Sequence, residues 1–190
     1  MNRSIEPTDN PFWNFSLQFY NKEGVADILL WFQEECQVDI NLMLYCCWAG
    51  VSQTPGLRAT DMTFLRDIVD RWQSEIIQPL RSLRQTLKTD ARGALISRVA
   101  GVRANLQQAE IEAERMEQDM LHTGAPREIN ETLDESEGRR HTIANLVLYL
   151  TQEGEQLDTI SMGQVTALVD ALFDPQNKNT YVNNSCIYLT

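Results

Sequence analysis

The sequence is poor in the residues that usually carry chemistry. Only two histidines occur in 190 residues. Asp119 and His122 stand at i, i+3 and Glu137 and His141 at i, i+4, so each pair shares a helix face and offers half of a metal site. The Glu-x-x-His repeat of a helical di-iron site is missing, and no metal or other cofactor is expected. The four cysteines, Cys36, Cys46, Cys47 and Cys186, contain no C-x-x-C pair, and adjacent Cys46 and Cys47 cannot easily bond to each other. They read as free thiols in a reducing compartment. Cys46 and Cys47 also lie in an apolar segment with no histidine nearby, and burial raises a thiol pKa. A glycine-rich phosphate loop of the G-x-x-x-x-G-K type is absent too. The single Asp67-x-x-Asp70 pair reads as a solvated helix face. These absences leave an enzymatic reading without support, and no catalytic residue is assigned.

Basic residues are scarce overall. The net charge is −11, which disfavours broad affinity for nucleic acid or anionic membrane, and specific DNA recognition with it. The opening MNRSIEPTDNP has no basic segment leading into an apolar one, so no secretory signal is expected. The longest apolar run, Leu42 to Val51, is about half the ~20 residues a membrane helix needs. These features predict a cytoplasmic protein with no membrane partner.

What is present is helical pattern. A composition of 43% hydrophobic and 23% charged residues is globular. Asp9 or Asn10 can cap a helix whose first residue is Pro11, giving a helix over about 11–21. Val25, Ile28, Leu29 and Phe32 recur at helical spacing in a second. Asp39 can cap a third, INLMLYCCWAG, apolar nearly all round and therefore buried on most sides. Phe12, Trp13, Phe15, Phe19, Trp31 and Trp48 are expected in a core, since three short helices this apolar must pack on each other and on something longer.

The longer partner is a predicted hairpin over about 61–121. Leu65, Ile68, Trp72, Ile76, Leu80, Leu83 and Leu87 are spaced three or four apart, with Pro79 expected to kink the pattern. A turn near Asp90 leads to Leu95, Val99, Val102, Leu106, Ala109, Ala113, Met116 and Met120, a heptad seam held for almost four repeats. Ala109 and Ala113 would let the other arm approach closely opposite a large residue such as Trp72. The same seam offers a homodimeric coiled coil as an alternative. Residues 123–138 are acidic and turn-rich and predict a loop. Two helices follow, one through Ile143, Leu146, Val147 and Leu150 and one from Thr159 to Phe173. The expectation is an all-α protein with a flexible N-terminus over 1–9, a single helical domain over 10–174 and a loose Asn-rich tail over 175–190.

NPFWNFSLQFY near the start, WQSEIIQPLRSLRQTLK over Trp72 to Lys88 and the later AEIEAERMEQ together carry a resemblance. Through its N-P-F-W-x-F-S and P-L-R-x-x-R-x-x-L-K motifs, the chain resembles an uncharacterised proteobacterial family known as a domain of unknown function. The similarity covers roughly Asn10 to Leu121 and, more weakly, Asn145 to Phe173. The resemblance implies a cytosolic α-helical protein with no assigned reaction. Genes of that family often lie near one for a soluble ATP-binding-cassette ATPase that acts on ribosomes, which keeps a ribosome- or RNA-associated role among the alternatives.

The charge pattern carries the leading functional expectation. Arg81, Arg84, Lys88, Arg92, Arg98 and Arg103 cluster around the predicted turn with Asp90 as the one acid among them. With Arg84 placed level with about Ser97, both arms put their basic residues at one tip, and no internal partner for them is visible in sequence. The tip is expected to dock an anionic partner, either an acidic protein face or an RNA backbone. Without interleaved aromatics, base-specific recognition of single strands is not expected. The protein is thus expected to be a non-enzymatic adaptor. The alternative is a small-ligand binder or enzyme with a pocket between the aromatic helices and the hairpin, lined by Trp13, Trp48, Arg71 and Trp72.

Overall fold

A computed structural model of the chain describes residues 10–52, 56–89, 96–124 and 134–174. In chain order the helices are α1 Pro11–Tyr20, α2 Val25–Glu35, α3 Ile40–Ser52, α4 Ala59–Trp72, a π-helical turn Gln73–Ile77, α5 Gln78–Thr89, α6 Ile96–Gly124, α7 Glu135–Gln152 and α8 Thr159–Leu172. The protein is all-α, with no strand among the described residues. The chain forms two compact units. One comprises residues 1–59 and 127–190, the other residues 60–126. The expected N-terminal segment 1–9 and tail 175–190 lie outside the described residues.

In the first unit the helix starts follow from their caps. The Asn10 side-chain oxygen accepts from the amides of Phe12 (3.0 Å) and Trp13 (3.3 Å), and Pro11 fills the first helical position, where no N–H is needed. Gly24 enters α2 at φ +77, a left-handed conformation that glycine adopts without strain. Asp39 Oδ1 accepts the Asn41 amide at 2.8 Å and opens α3. α3 is the buried centre, with Leu42 to Cys47 all inaccessible. Phe12, Phe15 and Phe19 of α1 are buried as expected. Phe12 meets Tyr45 edge-on at 5.4 Å between ring centroids. Trp13, Trp31 and Trp48 are only half-buried, their large rings covering the margin of the core rather than its middle.

Within this unit α1, α2 and α3 pack with α7 and α8. The closest approach is between α3 and α7, where a Cβ on Gly50 would lie 2.7 Å from Thr142 Cα. Polar side chains of α7 then stitch it to α3 and its flanks. Asn145 donates to the Cys46 carbonyl at 3.2 Å and accepts from the Leu57 amide at 2.9 Å, and the Tyr149 hydroxyl accepts from the Asp39 amide at 2.8 Å. Lys22 donates to the Ala171 carbonyl at 2.9 Å, at the end of α8 where a cation is favoured. Of the acidic loop expected over 123–138, residues 125–133 lie outside the described residues, and the two ends are helical. α6 continues to Gly124, and the Asp134 carboxylate accepts from the amides of Ser136 and Glu137, starting α7 at Glu135. Its glutamates sit in the first turn, where the helix dipole favours negative charge.

The second unit is the hairpin. One arm is α4, the π-helical turn and α5, and the other is α6. The kink expected at Pro79 takes the form of the π turn directly before it. Pro79 has no N–H for the Glu75 carbonyl and its ring crowds that group, and the widened turn instead pairs the Gln78 amide with the Gln73 carbonyl. The arms run antiparallel. A Cβ on Gly124 would lie 2.7 Å from Ile68 Cδ1, the Trp72 indole N–H donates to the Ala113 carbonyl at 2.9 Å, and Arg81 and Arg84 meet Glu110.

Candidate partner-binding face of the hairpin

α6 carries three side-chain stripes at seven-residue spacing, and burial separates them. Val99, Leu106, Ala113 and Met120 are buried or half-buried. Beside them run Arg103, Glu110 and Glu117, of which Glu110 is 5% exposed and Glu117 is fully buried. On the other flank Val102, Ala109 and Met116 face outward, Val102 at 53% and Met116 at 48% exposure. Half of the heptad seam therefore closes the hairpin and half remains open. On the opposing arm Ile76 and Leu83, also seven apart, are 37% and 55% exposed. In antiparallel arms equal rotations from the shared face turn to the same side. Ile76 and Leu83 thus join Val102, Ala109 and Met116 in one open apolar face. The opposite side of α5 presents Gln78, Ser82 and Gln85, all exposed.

The basic residues divide by role. Arg81 reaches Glu110 at 2.8 Å and Glu114 at 2.8 Å, and Arg84 pairs with both oxygens of Glu110. Burial alone would push the Glu110 carboxyl up, but hydrogen bonds from Arg84 and Arg81 more than reverse that, and its pKa lies below the ordinary value. Burial alone would lower the Arg81 pKa, but the hydrogen bond to Glu110 together with the charges of Glu114 and Glu110 more than reverses that and holds it above its ordinary value. The expectation that these two arginines lack an internal partner is corrected. Arg84 stands abreast of Glu110, not of Ser97, because α6 begins only at Ile96 and the arms are staggered. Lys88 and Arg98 are exposed, and Arg103 is half-buried with its Nε enclosed. Arg92 lies outside the described residues.

Of the four residues expected around one aromatic pocket, Trp13 and Trp48 belong to the first unit and Arg71 and Trp72 to the second. Arg71 pairs with Glu75 on its own arm at 2.9 Å, and Trp72 is engaged with Ala113. Trp48 packs against Phe12 and Tyr45 and lines a cleft of about 470 Å³ in the first unit. Phe15, Gln18, Val51, Leu172 and Phe173 complete most of that lining, and Trp13 is not part of it. The cleft is built against the end of α8, a position the sequence pattern did not suggest.

The three described cysteines are all held as thiols. Burial pushes Cys46 well above its ordinary pKa and Cys47 likewise, and Cys36 is raised to about 11 by desolvation and the nearby Glu155. Asp67 and Asp70 are exposed. Among the described residues no three metal-ligating side chains converge, and no helix is long and apolar enough to cross a membrane.

Sequence reading missed Glu110 as the organising charge of the hairpin. The signal was available, since Arg103, Glu110 and Glu117 repeat at seven-residue spacing one position after the outward seam residues. The fold and this face define an all-α protein composed of a helical hairpin and a compact helical unit. Residues 11–121 match the family described as Protein of unknown function (DUF2390), and the chain belongs to that family. No curated protein and no solved structure matches the chain.

Proposed function

We propose that the protein is a non-enzymatic interaction module whose hairpin receives a helical protein partner on its open apolar face, with Lys88 and Arg98 meeting acidic groups of that partner. The observation that carries this reading is the continuous exposure of Ile76, Leu83, Val102 and Met116 along one side of two antiparallel helices. Large apolar side chains exposed as a contiguous stripe mark interaction sites, and an amphipathic helix laid along such a groove covers them at i, i+3, i+4 and i+7 spacing. An RNA backbone or ribosomal partner is less well served, because Arg81 and Arg84 already carry their counterion in Glu110. A second reading is favoured by the cleft beside Phe15 and Trp48, which suits a small apolar ligand.

The test is affinity capture from lysate with nuclease treatment, comparing wild type with Val102→Glu and with Lys88→Glu/Arg98→Glu. A protein captured by wild type, retained after nuclease and lost with Val102→Glu supports the module. Identical captured sets for all three proteins would contradict it.

A further inference from the structure

We propose that the open face of the hairpin is covered by the same face of a second copy, laid antiparallel to form a four-helix bundle. This rests on the interaction reading above and names its partner. Two helices cannot enclose a core by themselves, and α5 and α6 each turn one stripe inward and leave another outside. A second hairpin supplies two more stripes of equal length, which is the composition of an antiparallel bundle.

The charges flanking the stripe select both the occupant and its direction. Arg98, Asn105, Glu112 and Asp119 follow one another at seven-residue spacing along the outer edge of the Val102, Ala109 and Met116 stripe. The edge is basic at one end and acidic at the other. Laid against itself in parallel it would set Arg98 on Arg98, Glu112 on Glu112 and Asp119 on Asp119. Reversed about a two-fold axis at Ala109, it sets Arg98 against Asp119 of the second copy and Asn105 against Glu112, and each pair occurs twice. The same axis places Val102 on the second copy's Met116 and brings the two Ala109 residues together, where a small side chain allows close approach. A uniformly acidic helix would satisfy Arg98 and be repelled by Glu112 and Asp119. The edge is therefore complementary to its own reverse, as an isologous interface requires.

Sedimentation velocity of the full chain across about 1–100 µM tests this, with circular dichroism on every variant to establish unchanged helicity and melting. Wild type is expected to dimerise in this range, and Val102→Glu to remain monomeric. Arg98→Glu and Asp119→Arg each replace two attractive contacts by two repulsive ones and are expected to weaken the dimer about tenfold or more. The double reversal Arg98→Glu/Asp119→Arg restores the pairs with exchanged signs and is expected to recover wild-type association to within about threefold. A wild type that stays monomeric overturns the proposal, as does a dimer indifferent to Val102→Glu or one that the double reversal fails to rescue. A monomer that still captures another protein through Val102 removes the second copy alone and leaves the interaction reading standing. Loss of every Val102-dependent association removes both.

Discussion

Replacing Glu110 with alanine is expected to destabilise the hairpin by about 2–4 kcal/mol, because it removes the counterion of the partly enclosed Arg84 and leaves Arg81 with Glu114 alone. For a chain of this length that corresponds to a fall in melting temperature of roughly 4–16 °C. Glu110→Gln keeps the shape and loses the charge, and is expected to fall between the two. The effect has a pH signature whose sign follows from the depressed carboxyl pKa. A group held below its unfolded value contributes stability that is present above that value, about 4.3 for glutamate, and is lost as pH falls through the folded one. Acid melts of wild type should therefore weaken below about pH 4, and those of Glu110→Gln should be flatter there. Melting that is unchanged in Glu110→Ala would show that the Arg81 and Arg84 pairs contribute nothing to the hairpin.

The same geometry separates docking variants from folding variants. Arg84→Glu would set a second carboxylate against Glu110 and disturb the arm itself, so a lost partner would not report docking. Lys88 and Arg98, both exposed, are the cations whose reversal reads the surface.

Gly50→Ala is the second large effect, and it acts in the other unit. The added Cβ would lie 2.7 Å from Thr142 Cα and 2.8 Å from Thr142 N. Neither neighbour is a flexible side-chain end that could swing aside, so α3 and α7 must separate. A loss of about 3 kcal/mol or more is expected, at the upper end of the cost of overpacking. Gly101→Ala is the matched control. Nothing lies within 4 Å of its Cβ position in α6, so the better helix propensity of alanine should add up to about 1 kcal/mol. Urea melts of both variants check the pair. A neutral Gly50→Ala would mean that the close α3–α7 contact is absent in solution.

Much of this architecture was readable from local pattern. Asn10, Pro11 and Asp39 announce helix starts because a cap requires specific residue types at fixed positions. α3 announces its burial because it is apolar on every side. The division into two units was not readable, since helical periodicity tells which side of a helix is buried and not which helix buries it. α7 illustrates the difficulty. Asn145 and Tyr149, which hydrogen-bond to α3 and the segments beside it, and Thr142, which lies against Gly50, are residues that no apolar periodicity singles out.

The hairpin register was misplaced for a related reason. A turn near Asp90 sets Arg84 level with about Ser97, whereas α5 ends at Thr89, α6 starts at Ile96 and Arg84 meets Glu110. The stagger carries Arg81 and Arg84 past the tip to Glu110. It makes two of the expected docking residues part of the internal ion pairs of the hairpin, whereas Lys88 and Arg98 are exposed. Trp13 and Trp48, expected beside Arg71 and Trp72, lie in the first unit, and both are half-buried at the margin of its core. Trp48 borders a cleft.

Methionine oxidation footprinting reads the open face directly. Met116 is 48% exposed on the stripe, whereas Met43 and Met62 are fully buried and serve as internal references. In dilute protein Met116 should oxidise rapidly while Met43 and Met62 are protected. In the associated state, reached with a captured partner or at high concentration of the chain itself, Met116 should become protected as well. A Met116 that oxidises equally fast in the free and the associated protein would contradict the assignment of this face as the docking surface.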